Sequence, residues 1–556
     1  MSHWCYQCGK YPTEKEYEKC KEENHDVDLE DDYQPTRTEL GLKPIVQSKG
    51  HNNSRSNEIS IVEDLMEFLL KKKSKIVISS NDSNRVYASI HVNDHQETFE
   101  IDVRANKTLR WFKASYYKET REIHSDESFK QALDIIKGQA IHAKKPKTEN
   151  IPKRISFDGC EFYYDLVSPD WKFVKITKDN IEFVNQNTGT PIFARSKNQS
   201  EQTSPNFLFD GNPIKEFCKF LKIEEFFGVH LITLFLSNIA CPIPVIIGPQ
   251  GSIKSSQSAF IKKVVDPSGK KKEEQLSHLT KKIDDLNIHI NNNYLVAFDN
   301  ISWITDEVSD TLCKAITGAG YSKRELYTND DETILKFRGK IILNGITVNL
   351  DNGDLNERGI IYNSEIIDKK DRIGDEEAEK IFSKLLPDLL GQIFITIQQT
   401  MRIYESVKEE IKELPRMADF GISGEAISRV LGYEPNRFLE WYEAKINSGL
   451  EIQNETSPII PFITEQKIDN QWIQVKDFFH RFNEYADLNH FDKGFRNFPK
   501  TSGRLRAYLT RVKPLLDQNN YKVEFKKNTE DNEFTKGSTL IRFSKKNVQS
   551  SLGDSQ

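Results

Sequence analysis

Hydrophobic residues in the first third of the chain follow two different periods, and the changes of period predict separate small units. Helical spacing over 59–73 precedes two alternating stretches, 85–92 and 96–103, and a second helical stretch covers 128–142. This order predicts a small α+β domain. Between 154 and 203, short apolar runs alternate with turn residues, which predicts a unit of short strands.

The middle of the chain has a different rhythm. Helical and strand-like patterns alternate from about 212 to 368, as in an α/β core with a parallel sheet. A long helical stretch follows over about 376–447. The last segment, 470–543, predicts helices followed by two strands, 521–525 and 539–543, which is the outline of a winged helix.

The most informative local pattern lies at the end of an apolar strand near the middle of the chain. The residues at 248–255 read Gly-Pro-Gln-Gly-Ser-Ile-Lys-Ser, close to the phosphate-binding pattern GxxxxGK[ST]. Such a loop directs backbone N–H groups at phosphates, its lysine contacts the β- and γ-phosphates, and its last hydroxyl binds Mg²⁺. Ile253 stands where the pattern has glycine, and a side chain there is expected to crowd the turn. The predicted nucleotide-binding residues are Gly248, Gly251, Ser252, Lys254 and Ser255.

Three later positions supply the other groups that phosphoryl transfer needs. An apolar strand at 294–298 ends in Asp299, a carboxylate suited to bound Mg²⁺ on a strand expected beside the loop strand. The next apolar strand ends in Asn344, which can orient the attacking water. Arg358 follows, and an arginine from the next subunit commonly stabilises the departing γ-phosphate.

In order and spacing, these motifs resemble AAA+ ATPases of mobile elements, namely superfamily 3 helicases and the helicase halves of viral and plasmid primase-helicases. The resemblance is strongest over 210–445. It rests on the loop at 248–255, Phe-Asp-Asn-Ile-Ser at 298–302, Ser-Asp-Thr-Leu-Cys at 309–313, Arg-Glu-Leu-Tyr-Thr at 324–328, Leu-Asn-Gly-Ile at 343–346 and Asp-Leu-Asn-Glu-Arg at 354–358.

The resemblance implies a role for each matching residue. Lys254 and Ser255 become the phosphate and Mg²⁺ contacts, Asp299 the Walker B carboxylate, Asn344 sensor 1, and Arg358 a finger acting on the neighbouring subunit. Asn300 replaces the acidic residue that usually polarises water, and the general base is left open among three carboxylates, Asp306, Glu307 and Glu332.

The same resemblance implies a hairpin lining a central pore, between the strands that end at Asp299 and Asn344. Lys323 and Arg324 are candidate DNA contacts there. A solvated hairpin or an ion pair between subunits explains these charges equally well.

Cysteine spacing near the amino terminus predicts a structural zinc site. Cys5, Cys8, Cys20 and His25 provide the thiolates and imidazole of a closed tetrahedral site, with His3 as a possible substitute. The other four cysteines lie in apolar contexts and are expected in cores, namely Cys160, Cys218, Cys241 and Cys313.

Basic residues gather near the carboxyl terminus. The segment 493–513 carries seven Lys and Arg residues and no Asp or Glu, with aromatic residues between them. On a recognition helix this pattern suits DNA phosphates, with Arg504, Arg506 and Arg511 as contacts. A solvated basic face with a buried aromatic side is the alternative.

Composition restricts the class of protein further. The net charge of −6 gives no global attraction to nucleic acid, so any such contact must come from local basic faces. There is no signal-peptide pattern, and the apolar run at 229–248 is interrupted by His, Asn and Pro. The chain is expected to be cytoplasmic, without a membrane span.

Together these inferences predict a multidomain α/β protein with an AAA+ P-loop core. The predicted segments are a zinc ribbon-like unit at 1–25, an acidic linker at 26–57, a small α+β domain at 58–143, a β-rich linker domain at 154–208, the ATPase core at 209–368, a helical lid at 369–450 and a winged-helix-like DNA-binding domain at 470–545.

The predicted function is that of an ATP-dependent DNA helicase or translocase in the replication of a mobile or viral-type element. It would use ATP, Mg²⁺ and Zn²⁺, assemble as a ring, most simply a hexamer, and engage single-stranded or forked DNA. The first 150 residues contain no primase carboxylate motif, so priming would need a separate primase or polymerase. The alternative is a DNA-binding initiator or assembly protein with a weak or degenerate ATP site. A transcription regulator would leave the central motifs unused.

Overall fold

The computed structural model describes most of the chain beyond residue 61, within the unit Val62–Gln556. The described residues are 62–65, 67–68, 71, 75–92, 95–102, 106–187, 189–301, 304–318, 321–324, 332–335, 338–346, 353–366, 368, 370, 372–456, 459–466, 468, 470–489, 498–530 and 534–545. The predicted zinc-binding unit at 1–25 and the linker at 26–57 therefore lie outside the described residues.

The first described unit is a four-stranded sheet with two helices. In chain order its elements are β1 (Lys75–Ser79), β2 (Asp82–Val92), β3 (His95–Glu100), α1 (Asn106–Thr120), α2 (Asp126–Ile141) and β4 (Thr148–Glu149). The strand order is β3-β2-β1-β4, antiparallel except for the β1–β4 pair. The contact between Phe99 and Trp111 joins α1 to the sheet, and the contact between Phe112 and Phe129 joins the two helices. The sequence pattern indicated β2, β3 and α2 but missed β1 and α1.

The second unit is an antiparallel sheet of four strands in sequential order. They are β5 (Ile155–Phe157), β6 (Phe162–Asp165), β7 (Lys172–Ile176) and β8 (Ile181–Asn185). Because side chains alternate along a strand, Phe162 and Tyr164 face the largest core cluster, whereas Tyr163 and Phe173 pack with Phe193 on the other face. Because both faces of this sheet are buried, consecutive positions of its strands can carry aromatic residues.

The third unit has a parallel sheet of five strands with helices in its crossovers. In chain order its elements are α3 (Pro213–Phe220), α4 (Phe227–Thr233), β9 (Ile243–Ile247), α5 (Lys254–Val265), β10 (Leu276–Ser277), α6 (Ile283–Asn292), β11 (Leu295–Phe298), α7 (Asp306–Thr317), β12 (Tyr321–Arg324), β13 (Glu332–Leu335), β14 (Lys340–Gly345), α8 (Gly353–Asn356) and β15 (Gly359–Asn363). Separate apolar clusters cover the two faces of this sheet, so its strands read as continuous apolar runs.

The strand order of this sheet corrects one expectation. The order is β10-β11-β14-β9-β15, so β14 separates the loop strand β9 from β11, the strand that leads to Asp299. Asp299 was expected on the strand beside the loop strand, and that placement is wrong. A carboxylate one strand further away can still reach the loop because all carboxyl ends of a parallel sheet lie at one edge.

Strands β12 and β13 form a two-stranded antiparallel hairpin outside this sheet, with Tyr321 opposite Leu335. The hairpin lies between α7 and β14 in the chain, as the resemblance implied. Lys323 and Arg324 belong to β12, and their side chains lie outside the described residues.

The long helical stretch is three helices, α9 (Asp375–Glu410), α10 (Ala418–Val430) and α11 (Arg437–Thr456). The first is the longest and packs Phe382, Leu389 and Phe394 into the main core. At Gly391 a Cβ atom would lie 1.7 Å from the carbonyl oxygen of Asn206, so only glycine allows the segment after the second unit to approach this helix.

The last unit has its own core. Its elements are α12 (Ile459–Glu465), β16 (Ile473–Gln474), α13 (Val475–Leu488), α14 (Leu505–Arg511), α15 (Lys513–Gln518), β17 (Tyr521–Lys527) and β18 (Thr539–Lys545). The antiparallel sheet has the order β16-β18-β17 and packs on helices through Phe462, Phe478, Phe482 and Phe543. The two strands expected from sequence are both present, each slightly longer than predicted.

Two further expectations concern single residues and membranes. Cys218, Cys241 and Cys313 are buried as predicted, but Cys160 is exposed, in the turn between β5 and β6, so its prediction as a core residue is wrong. Among the described residues, no helix is both long enough and apolar enough to span a membrane. The apolar run at 229–248 instead supplies most of α4 and all of β9, both buried.

Candidate nucleotide-binding site

The glycine loop connects the end of β9 to the start of α5, at the carboxyl edge of the parallel sheet. A Cβ atom on Gly248 would lie 2.2 Å from the carbonyl oxygen of Ser364, which makes glycine necessary there. Gly251 has a φ of +86°, a second position that favours glycine. Ile253 has φ −89° and ψ 20°, which an ordinary residue adopts, so the backbone of the turn does not require glycine at that position.

Lys254 is folded back onto its own loop. Its Nζ donates hydrogen bonds to the carbonyl oxygens of Gly248 and Pro249, both at 2.8 Å, and to Oγ of Ser252 at 3.0 Å. Burial disfavours the charged form and lowers the pKa of Lys254, while Asp299 opposes this shift. A phosphate entering the loop would have to replace these neutral acceptors, and its negative charge favours that exchange.

The hydroxyl of Ser255 donates a hydrogen bond of 2.7 Å to Oδ1 of Asp299. Asp299 itself is fixed by the end of β11, because its backbone N–H donates to the carbonyl oxygen of Ser277. Two residues distant in the chain thus meet beside the loop. Hard oxygen donors of this kind suit Mg²⁺, which binds proteins through few ligands and completes its octahedron with water and substrate phosphates. The residues present therefore fit a Mg²⁺–nucleotide complex.

Asn344 is buried at the end of β14, and its amide already has two partners. Its Nδ2 donates to Oγ of Ser258 at 2.7 Å, and its Oδ1 accepts the backbone N–H of Asn300 at 3.1 Å. Asn300 has a φ of +56°, so this hydrogen bond supports a left-handed residue directly after Asp299. Asn344 thus links helix α5 to the loop that follows β11.

Arg358 lies at the opposite edge of the sheet from the loop. Its carbonyl oxygen accepts the backbone N–H of Ile243, the first residue of β9, whereas the glycine loop follows the last residue of that strand. At about 3.3 Å per residue, a five-residue strand separates the two ends by roughly 16 Å. Arg358 forms an ion pair with Asp354, so within one chain it does not belong to the loop site.

Three residues near these positions were missed by the sequence analysis. Arg416 from the start of the α10 region also pairs with Asp354, at 2.6 Å. Ser258 lies one turn beyond the glycine loop and holds Asn344. Ser364 packs against Gly248, and its buried hydroxyl has no partner among the described residues. Serine, arginine and aspartate at such positions carry no local signal, since the contacts join segments far apart in the chain.

The predicted DNA contacts lie on other elements. Arg504 and Arg506 are exposed at the start of α14, while Leu505, Tyr508 and Leu509 of the same helix face the core. The guanidinium of Arg506 lies 5.2 Å from the ring centroid of Phe525. The side chain of Arg511 lies outside the described residues, as do the predicted zinc ligands Cys5, Cys8, Cys20 and His25.

These observations describe a multidomain α/β protein whose parallel sheet is consistent with a P-loop helicase-like core. Residues 216–434 match the family model described as actinomycete integrative conjugative element replication protein. The match begins within α3, covers the rest of the third unit and ends after α10. No curated protein sequence matches the chain.

The chain also matches solved structures, among them two that are named as helicases. The SCCmec type IV Cch active helicase is 12% identical, with a TM-score of 0.40, over 85% of this chain and 93% of that chain. The NrS-1 C-terminal region is 14% identical, with a TM-score of 0.33, over 86% and 98%. The JCV helicase bound to a thiazolopyridine compound is 13% identical, with a TM-score of 0.22, over 43% and 64%.

Proposed function

We propose that this chain is an ATP-dependent DNA translocase or helicase that acts in the replication of a mobile or viral-type element. One observation carries the proposal, namely the 2.7 Å hydrogen bond between Ser255 and Asp299 beside a loop that begins α5 with Lys254. That pairing brings together the two oxygen donors that Mg²⁺–ATP needs at the carboxyl edge of a parallel sheet. The family match over 216–434 supports a role in replication.

In this proposal the loop residues hold the nucleotide. The backbone N–H groups of Gly251 and Ser252 bind phosphates, and Lys254 moves from the loop carbonyls to the β- and γ-phosphates. Ser255 contacts Mg²⁺ directly, and Asp299 orients the hydroxyl of Ser255 for this contact. ATP supplies the γ-phosphoryl group whose transfer to water drives movement. Asn344 orients that water only if its amide exchanges one of its present partners, and the choice of base among Asp306, Glu307 and Glu332 stays open.

Ring assembly is the second part of the proposal. Arg358 lies at the far end of the strand from its own loop, so it can act on ATP only in a neighbouring subunit. A closed ring, most simply a hexamer, places each Arg358 against the next loop. Electron microscopy with a non-hydrolysable ATP analogue tests this directly, because open monomers at saturating analogue would contradict it.

The other units are proposed to engage nucleic acid and metal. The order helix, strand, three helices and two strands at 459–545 supports a winged helix, with Arg504, Arg506 and Arg511 on DNA phosphates. Lys323 and Arg324 on the hairpin are the proposed pore contacts. Cys5, Cys8, Cys20 and His25 are the proposed Zn²⁺ ligands, which metal analysis of the purified chain and a Cys5→Ser variant would test.

ATP hydrolysis measured with and without single-stranded DNA tests the central proposal. We expect turnover stimulated by DNA, and a loss of at least about tenfold in Lys254→Ala, since phosphate contacts of this kind stabilise the developing charge. Lys219→Ala is the matched control, because Lys219 is an exposed residue on α3. Equal turnover by the wild type and Lys254→Ala would exclude the ATPase.

The alternative is a DNA-binding initiator or assembly protein whose ATP site is weak. It is favoured by the full engagement of Lys254 with its own loop and by Asn300, which lacks the acid that polarises water. In that case the protein would bind DNA and form assemblies at equal rates with ATP and with its non-hydrolysable analogue. DNA-stimulated turnover that depends on Lys254 would reject this alternative.

A further inference from the structure

A cleft of about 340 Å³ lies where the first two units meet the parallel-sheet unit. Its walls come from the β1–β2 turn, the segment before β5, the end of α6 and the residue pair that flanks the hairpin, Gly318 and Arg338. In the chain, Gly318 precedes β12 and Arg338 follows β13. The cleft is therefore at the base of the hairpin, at the amino edge of the parallel sheet and away from the glycine loop.

The lining of this cleft is basic and rich in amides. Among the described residues, the lining contains Lys153 and Arg338 but no Asp or Glu. Carboxamide groups add further hydrogen-bond donors, and they belong to Asn81, Asn150, Asn291 and Asn293. A polar cleft with positive charge and no lining carboxylate suits an anionic ligand, because no carboxylate of the described lining repels it.

Lys153 supplies one of the two positive charges of this cleft. It is half-buried, and among the described residues its ammonium group forms no hydrogen bond or ion pair. Burial, and then the nearby Arg85, lower the pKa of Lys153 to about 8, while Glu100, Asp266 and Asp82 oppose this shift. Arg338 uses one N–H on the carbonyl oxygen of Asn238, which leaves further donors of its planar group exposed to the cleft. Two cations therefore line one cleft, and among the described residues neither forms an ion pair there.

A second cleft, of about 110 Å³, adjoins the first and shares Phe157 and Asn238 with it. Its lining is mainly apolar, with Leu236, Ile397 and Met401, and also includes Lys178 and Glu405. A basic polar cleft beside an apolar pocket matches the two chemistries of a single nucleic-acid strand, whose phosphates are charged and whose unpaired bases have apolar faces. A duplex keeps its bases stacked inside and would leave the apolar pocket unused.

We propose that these adjoining clefts bind a single-stranded nucleic acid at the base of the hairpin, with Lys153 and Arg338 on its phosphates and the Phe157 pocket receiving a base. The inference rests on the proposed function in taking a nucleic-acid strand as the ligand. It assigns phosphate contacts to Lys153, in the linker before β5, and to Arg338, just before β14. No motif indicated Lys153, whereas Arg338 belongs to the basic segment between the strands that end at Asp299 and Asn344.

The test is the binding of the full chain to fluorescent dT and rU oligonucleotides of about 20 nucleotides, followed by anisotropy without ATP. Each lost phosphate contact reduces the slope of log K against log salt by about 0.7 for single strands. We therefore expect Lys153→Gln/Arg338→Gln to show a slope shallower by about 1.4. With equal affinities at 1 M salt, this difference in slope makes the double variant bind about 25-fold more weakly than the wild type at 0.1 M salt.

The matched control is Lys384→Gln/Arg437→Gln, which removes the same two charges from exposed positions on α9 and α11. Asn150→Asp is a second test variant. Because Asn150 is exposed, the added carboxylate does not disturb packing, and we expect about fivefold weaker binding at 0.1 M salt.

Weaker binding by both test variants to either oligonucleotide, with the control unchanged, supports the proposal. Wild-type affinity and salt slope in Asn150→Asp, or in a double variant with a normal melting temperature, overturn it. Since no ATP is present, an inactive ATP site would leave this result unchanged and would be detected separately by the Lys254→Ala comparison.

Discussion

Replacing Asp266 by Asn is expected to destabilise the protein strongly, because this carboxylate is the buried partner of two cations. Asp266 is fully buried at the end of α5 and accepts hydrogen bonds from Nε of Arg154 at 3.1 Å and from Nζ of Lys262 at 2.7 Å. It also accepts the backbone N–H groups of Tyr294 and Leu295, both at 3.1 Å. Arg154 comes from the second unit, so this carboxylate joins that unit to the nucleotide-binding core.

The magnitude follows from the charges that would remain. Burial alone would raise the pKa of Asp266, but Lys262 and Arg154 outweigh it and lower the pKa, so the group is ionised at neutral pH. Asn keeps the shape and loses the charge, which leaves two buried cations without a counter-ion. Removing one partner from a buried ion pair costs about 3–5 kcal/mol. For units of this size, that corresponds to a fall in melting temperature of roughly 6 °C or more.

The assay combines thermal unfolding with hydrogen exchange of the peptide that contains Tyr294 and Leu295. Asp266→Asn should lower the melting temperature and speed exchange of those two amides, because an amide oxygen is the weaker acceptor. Asp170→Asn is the control, since Asp170 pairs with Lys172 at 3.3 Å in a half-exposed position worth at most about 1 kcal/mol. If the two variants melt together and the exchange is unchanged, the reasoning is refuted.

Three further predictions concern packing, pH and the loop. Gly391→Ala should destabilise the protein by about 1–3 kcal/mol, since its Cβ would overlap Asn206. Gly138→Ala in α2 is the control, because its Cβ would meet nothing within 4 Å, and it should be neutral or stabilising by up to about 1 kcal/mol. Equal melting temperatures of the two variants would contradict this reasoning. Burial lowers the pKa of His230 to about 3, so its contribution to the free energy of unfolding is complete above pH 6.5 and falls at lower pH, where the unfolded chain takes up a proton. The difference in stability between the wild type and His230→Gln should therefore shrink by about 2 kcal/mol from pH 7 to pH 5. A constant difference would show that His230 does not titrate as inferred. If the side chain of Ile253 limits phosphate binding, Ile253→Gly should raise the steady-state rate of ATP hydrolysis. An unchanged rate would show that this side chain does not limit ATP hydrolysis.

Much of the candidate site could be predicted from the sequence because its signals are local. A buried strand followed by glycines, lysine and serine specifies a loop conformation within a dozen residues, and Gly251 and Lys254 appear where that pattern requires them. The apolar run ending in Asp299 is likewise a local pattern. Periods of two and 3.6 also indicated most strands and helices, since they reflect which face of one element is buried.

The sequence did not determine how these elements pair. Nothing local to β14 indicates that it lies between β9 and β11, and the contact between Ser255 and Asp299 depends on that order. The exposed Cys160 shows the same limit, because an apolar neighbourhood in sequence does not show which way a turn residue faces.

The sequence by itself thus indicated the glycine loop, the carboxylate after β11 and the alternation of helices and strands in the middle of the chain. The tertiary structure decided that Asn344 holds Ser258 and Asn300, that Asp266 binds Arg154 from 112 residues away, and that a basic cleft forms at the base of the hairpin. The physical reason is that hydrogen bonds and packing act over a few ångströms in space, while sequence patterns reveal only contacts between residues close together in the chain.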